Sequence, residues 1–287
     1  MIHELALERR NLHGHFSRDL PPALIIDPGD TVAFSTPNSG WRFDASTWFE
    51  PRTSPEDDGH ALAGPIEVRG AREEQTLVVH IDDVTPGSWG ETLTHPPHWI
   101  EWRLENGLGY ASTGQVVKLR PFLGVMGMPP IGHGVHSTTP PRRQGGNIDC
   151  KELVAGTTLY LPIPVDAALF SAGDPHGLQG DGEVSGTAIE CATSARLTFD
   201  LRDDMPLEWP CARIDDAWLT LGFDENLGFA AKKAVDGMVA LLGREHGLGR
   251  DDALALASVV VDLRVTQVVN LQVGVHAVLR DDAWAKA

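Results

Sequence analysis

From Thr157 onward the apolar residues come in short runs, TTLYLPIPV, AALFSAG, EVSGTAIECAT and ARLTFDL, each cut off by glycine, proline or a polar cluster. Runs this short, carrying β-type residues, bury an apolar face by pairing side by side into sheets. The same pattern precedes them. PALIIDPGDTVAFST (22–36) reads as strand, turn, strand about Asp27-Pro28-Gly29-Asp30, and QTLVVHIDDV (75–84), WIEWRL and QVVKL add further strands. Near residue 225 the period changes. Leu227, Ala230, Ala231, Ala234, Val235, Met238 and Leu242 recur at helical spacing, with Gly243 placed to end the run. A second helix fits residues 250–261, opening with Asp251 and Asp252 at the positive end of its dipole. RVTQVVNLQVGVHAVL then reads as one final strand. The expected fold is mostly β, with a helix–helix–strand segment at its C-terminal end. A chain of 287 residues is long enough for a substantial core, either as one unit or sub-divided into 1–220 and 221–287.

Bulk properties exclude several functions. A formal charge of −17 argues against nucleic acid or an anionic membrane as partner, since both need basic patches, and suits cations or neutral substrates. No stretch approaches the roughly 18 apolar residues of a membrane span, and MIHELALERRNLHGHF lacks the apolar core of a signal peptide. Cys150, Cys191 and Cys211 are odd in number and lack CxxC spacing, so a reduced, cytoplasmic setting is expected. Cys150 and Cys191 read as buried inert thiols rather than nucleophiles. GxSxG elbows and phosphate-cradling glycine loops are absent.

Chemistry concentrates between residues 145 and 190. GDPHGLQGDGEV (173–184) holds Asp174, His176, Asp181 and Glu183 within ten residues, and GGNID (145–149) adds Asn147 and Asp149. Acids and an imidazole on glycine-rich turns between strands are what a metal-assisted hydrolase needs. Glu183 is a candidate general base. An Asx-rich turn explains either aspartate of 173–184 alone equally well, but not the set with His176 and Glu183. His60 before a Gly-Pro turn, His13 and His15 in HGHF, and His133 and His136 in GHGVH read more simply as surface, packed or solvated histidines. The Gly-, Pro- and His-rich segment 125–146 reads as a long irregular loop, with glycines that would permit a lid.

Taken together, HFSRDLPPALIIDPGDTVAF, HALAGPIEVRGA, GGNIDCKEL, GDPHGLQGDGEVSGTAIE and DLRVTQVVN resemble the acetamidase/formamidase family along nearly the whole chain. The resemblance implies a β-sandwich-like core with an added α+β portion. It implies hydrolysis of short aliphatic amides to ammonia and a carboxylate, with a divalent metal, zinc, and calcium as a possible second, structural ion. It carries Asp149, Asp174, His176 and Asp181 over as metal residues, and Glu183, His60, Asn147 and Glu190 as catalytic ones. In that scheme Glu183 is the general base that later protonates the leaving ammonia, while His60 and Asn147 orient substrate or stabilise the oxyanion. GAREEQTL and SGWRFDASTW depart from the family pattern, and the second departure could alter substrate choice. The expected partners are a small neutral amide and further copies of the chain, with no nucleic acid and no membrane. The alternatives are hydrolysis of another small C–N compound (ureido, formyl-amine or guanidino) and a non-catalytic, metal-dependent binding protein.

Overall fold

The computed structural model describes residues 1–94 and 97–285. It is mostly β, with three sheets among the described residues and two helices near the C-terminal end. The nine-stranded sheet runs in the order Ile2–Leu5, Thr31–Thr36, Thr193–Arg202, Thr76–Pro86, Thr158–Pro162, Cys211–Arg213, Ala217–Asp224, Val273–Arg280 and Val261–Gln267. A six-stranded sheet has the order Gly145–Asn147, Phe122–Gly127, Phe170–His176, Leu62–Val68 and Leu12–His13, with Leu24–Ile26 alongside Leu62–Val68. Thr193–Arg202 alternates as a sheet with one covered face must: Ala195, Leu197 and Phe199 are buried while Arg196 and Asp200 point outward. Its Phe199 meets Phe170 of the six-stranded sheet edge-on, ring centroids 5.1 Å apart. One core joins the two sheets, with Val32, Val79, Leu159 and Leu197 on one side and Ala63, Ile66, Leu123 and Met126 on the other. That face-to-face packing is a β-sandwich. A smaller sheet, Val116–Lys118, Leu108–Ala111, His98–Glu105 and Trp89–Thr94, lies at its flank.

The helices Leu227–His246 and Arg250–Val260 pack on the nine-stranded sheet through Ala230, Ala234, Met238, Leu242, Ala253 and Ala257. Asn226 caps the first, its side chain accepting from the Gly228 and Phe229 amides. Gly243 does not end that helix. It continues to His246 and stops at Gly247, whose φ of 66° supplies the left-handed turn. The last run is not one strand but the hairpin Val261–Gln267 and Val273–Arg280, bent between them where the Gln267 side chain binds the amides of Val269 and Asn270.

Two further departures bear on the site. EVSGTAIECAT (183–193) forms no strand before Thr193, because Glu183 and Gly186 have positive φ and Glu190 turns its carboxylate inward onto the Ala188 amide. AALFSAG starts late: Ala167, Ala168 and Leu169 are all left-handed, so the strand begins at Phe170 and runs on through Asp174 and His176. These two groups therefore stand on a buried strand rather than on a turn. The segment 125–146 is likewise strand at both ends, Phe122–Gly127 and Gly145–Asn147, and irregular only between them.

Candidate active site

Phe122–Gly127 and Phe170–His176 are buried at every residue, the signature of neighbouring strands covered on both faces. Their antiparallel register pairs Leu123 with Pro175 and Val125 with Gly173, which sets Gly124 opposite Asp174. Asp174 has a φ of 53°, and the ladder skips that rung. Asp149 (φ 49°) and Glu183 (φ 44°) are also left-handed. Three carboxylates in a region that non-glycine residues seldom occupy are held there by the surrounding fold, and such strain gathers at functional sites. The Gly124 carbonyl accepts from the amides of Ile148 and Asp149, which ties the second acid-bearing turn to the same point.

The side chains converge there. His176 Nε2 lies 3.4 Å from Asp174 Oδ1 and 3.2 Å from Glu190 Oε1. His176 is shared by two groups whose ligand atoms lie within 4.8 Å of one another: Asp149, His176 and Glu183, and Asp174, His176 and Glu190. All five are buried, with Glu183 the most exposed at 7%. Ser39 Oγ donates to Glu190 Oε2 at 2.8 Å, and Glu190 exchanges backbone hydrogen bonds with Glu91 of the flanking sheet. Glu91 in turn accepts from Asn38, Arg42 and Trp99. His60 is fastened through Nδ1 to Thr138 Oγ1 at 2.8 Å and lies near enough to Asp174 for its charge to act there.

Burial and crowding set the charge states. Asp149 is pushed well above the carboxylate range by burial, then by the Glu183 and Asp174 charges. Glu183 is pushed up to about 8, chiefly by burial. Asp174 is held low against its burial by the charges of His176 and His60. His176 is raised against its own burial by Glu190 and Asp174. The cluster thus carries more acids than one imidazolium can neutralise, a charge balance that a bound cation would complete.

The donor set fits a divalent cation on a further count. Asp149 Oδ1 is buried with no hydrogen-bond partner, as is Asn147 Oδ1. A Cβ placed on Gly124 would stand 2.5 Å from Asp149 Oδ1 and 2.7 Å from Asp174 Oδ2, so both oxygens lean over the bare glycine. Uncompensated buried oxygens are costly, and converging ones are what a cation takes up.

Asp181 stands elsewhere. Its carboxylate binds Arg264 (2.6 Å) and Lys151 (3.1 Å) and groups with Glu152 and His276. Arg264 and Arg120 also neutralise Glu152, so this second cluster already holds its own cations. Residues that sequence reasoning missed are Gly124, Gln179, Asn270 and Ser39. An isolated glycine inside FLGVMG was the available signal for the first. His13 bonds Ser171 and His15 bonds the Glu56 carbonyl, while His133 is exposed beside Asp19. Cys150, Cys191 and Cys211 are buried and unpaired, their thiols pushed up to about 12 by burial. Among the described residues no helix is long and apolar enough to cross a membrane.

Fold and site together define a β-sandwich protein with a buried carboxylate–imidazole centre at a strand end. The model of the acetamidase/formamidase family matches residues 124–212, the stretch from Gly124 past Glu190. An acetamidase of Mycolicibacterium smegmatis is 46% identical over 259 residues, covering 60% of this chain and 61% of that protein. The crystal structure of an acetamidase from Bacillus halodurans has a TM-score of 0.87 at 29% identity over 97% of each chain. That of an acetamidase from Yersinia enterocolitica, 23% identical, has a TM-score of 0.89 over 100% of this chain and 94% of its own, and shares the fold. The chain is similar to members of the acetamidase/formamidase family, in sequence from Gly124 to beyond Glu190 and in fold along nearly its whole length. It spans less than two thirds of the length of the curated relatives that it matches over most of its own length.

Proposed function

We propose that the protein hydrolyses short linear amides of the acetamide and formamide type, with a divalent cation held by Asp149, Asp174 and His176. The observation that carries this reading is the pair of carboxylate oxygens, one of them orphaned, leaning over Gly124 beside His176. Two carboxylates and one imidazole are oxygen and nitrogen donors of the kind zinc takes at catalytic sites, where three protein ligands leave a position open. Such a cation supplies polarisation of the amide carbonyl or a water of lowered pKa.

The remaining steps belong to the chain. Glu183, with a proton affinity near neutrality, takes the proton of the attacking water and returns it to the departing nitrogen. The second transfer is required because an amide nitrogen leaves poorly until protonated. His60, anchored on Thr138, and Asn147, with its free carbonyl oxygen, orient the amide. Glu190, fixed by Ser39 and the Ala188 amide, faces the same edge of His176 and stands beside the reacting groups. The enclosure of the centre favours a small neutral substrate, and buried unpaired thiols suit the cytoplasm. In this reading the chain works as a homo-oligomer of single units.

The test is ammonia release from formamide, acetamide and propionamide by protein as purified, chelator-treated and remetallated with zinc. Activity lost to chelator and restored by zinc is expected. Absence of ammonia from all three with metal bound would refute the substrate class, and turnover indifferent to chelator would refute the metal.

A further inference from the structure

Two neutral amide side chains reach the centre beside its acids: Gln179 of GDPHGLQGDGEV and Asn270 of DLRVTQVVN. Gln179 is buried, and its Oε1 accepts from His176 Nδ1 at 2.9 Å while its Nε2 donates to the Asp149 carbonyl at 2.8 Å. A carbonyl can only accept, so the amide's orientation is forced and Nδ1 must carry the proton. The other ring nitrogen, Nε2, is thereby the one that faces Asp174 and Glu190. Asn270 does the same for the acid. Its Nδ2 donates to Asp149 Oδ2, which leaves Oδ1 as the unpartnered oxygen over Gly124.

Asn270 is itself held. The Gln267 side chain accepts from its amide at 3.1 Å and donates to the Gln272 carbonyl at 2.7 Å, while the Gly182 and Thr266 backbones clasp the hairpin to the Glu183 turn. Each amide therefore occupies the outward atom of one group and turns the inward atom towards the centre. Neither adds charge to a cluster already rich in acids. A carboxylate in either place would add another buried negative charge.

We infer that Gln179 and Asn270 are positioning residues that select His176 Nε2 and Asp149 Oδ1 as the atoms presented to a divalent cation, an inference that rests on the metal reading above. Partners of this kind, one bond removed from a ligand, typically change metal affinity by about 10- to 100-fold.

The experiment uses the full chain and Co²⁺ as probe. Affinity is measured by chelator competition together with the visible Co²⁺ spectrum, for wild type, Gln179→Met, Gln179→Glu and Asn270→Leu. The protonation of His176 Nδ1 is read by ¹⁵N NMR on the metal-free protein. Gln179→Met and Asn270→Leu are expected to weaken Co²⁺ by about 10- to 100-fold and to alter its spectrum. Gln179→Glu keeps an acceptor for Nδ1–H but loses the donor to the Asp149 carbonyl and adds a buried charge, so it is expected to restore protection of Nδ1–H and only part of the Co²⁺ affinity. The Nδ1 proton should be protected from exchange in wild type and lose that protection in Gln179→Met. Folded variants that bind Co²⁺ within twofold of wild type with an unchanged spectrum would overturn the inference. If one variant fails to fold, the other decides. If neither folds, an unprotonated Nδ1 in wild type overturns the inference and a protected one sustains it. A wild type that binds no Co²⁺ would refute the metal reading, and the NMR comparison would still decide the role of Gln179.

Discussion

Replacing Gly124 by alanine puts the geometry of the centre to a direct test. Its φ lies outside the left-handed range, so alanine meets no backbone penalty there, and whatever follows comes from the added methyl. That methyl would stand 2.5 Å from Asp149 Oδ1, 2.7 Å from Asp174 Oδ2 and 2.9 Å from the Asp174 carbonyl, where ordinary contact begins at 3.4 Å. The two carboxylates must therefore retreat by about 0.9 and about 0.7 Å, and the third neighbour is backbone that cannot swing aside. Overpacking of this kind costs about 1–3 kcal/mol. At roughly 2–4 °C per kcal/mol, the melting temperature should fall by about 2–12 °C. Function should suffer more, because displacing reacting groups by about 1 Å costs on the order of 100-fold. The assay is ammonia release from the best amide alongside cation affinity and a thermal melt. Gly180→Ala serves as control, since a Cβ there meets nothing within 4 Å. If Gly124→Ala kept turnover and cation affinity within threefold of wild type, the two oxygens would not be part of the working centre.

Glu183→Gln should lower turnover by about 10²- to 10⁴-fold while cation content stays at the wild-type level; a loss of cation instead would make Glu183 a ligand. His13, bonded to Ser171, is pushed down to about 4 chiefly by burial, whereas in the unfolded chain it titrates near 6.5. Its contribution is therefore fully present above pH 6.5 and is lost as pH falls towards 4, with a slope of at most about 1.4 kcal/mol per pH unit. Urea unfolding at pH 7 and pH 5 should show a smaller acid-side loss for His13→Asn than for wild type, and equal losses would refute the assignment.

Much of this protein was legible along the chain because the relevant physics is local. Alternation in ARLTFDL, helical spacing from Leu227 and the Asp27–Asp30 turn are set by neighbours a few residues apart, and each appears where the sequence placed it. The residues of the acid-bearing motifs could also be named, since their clustering among glycines is a property of the string. Their assortment could not. Asp181 sits within the same ten residues as Asp174 and His176, yet Arg264, brought up by the C-terminal hairpin, draws it into a separate charged cluster. Gln179 and Asn270 stand inside GDPHGLQGDGEV and DLRVTQVVN, yet neither string shows which atom of a distant side chain they occupy. Gly124 becomes informative only once strand register sets it opposite Asp174 and a turn folds Asp149 above it. Periodicity and turn chemistry are written residue by residue. Which carboxylate finds a cation and which finds an arginine depends on long-range packing, and only the folded chain decides it.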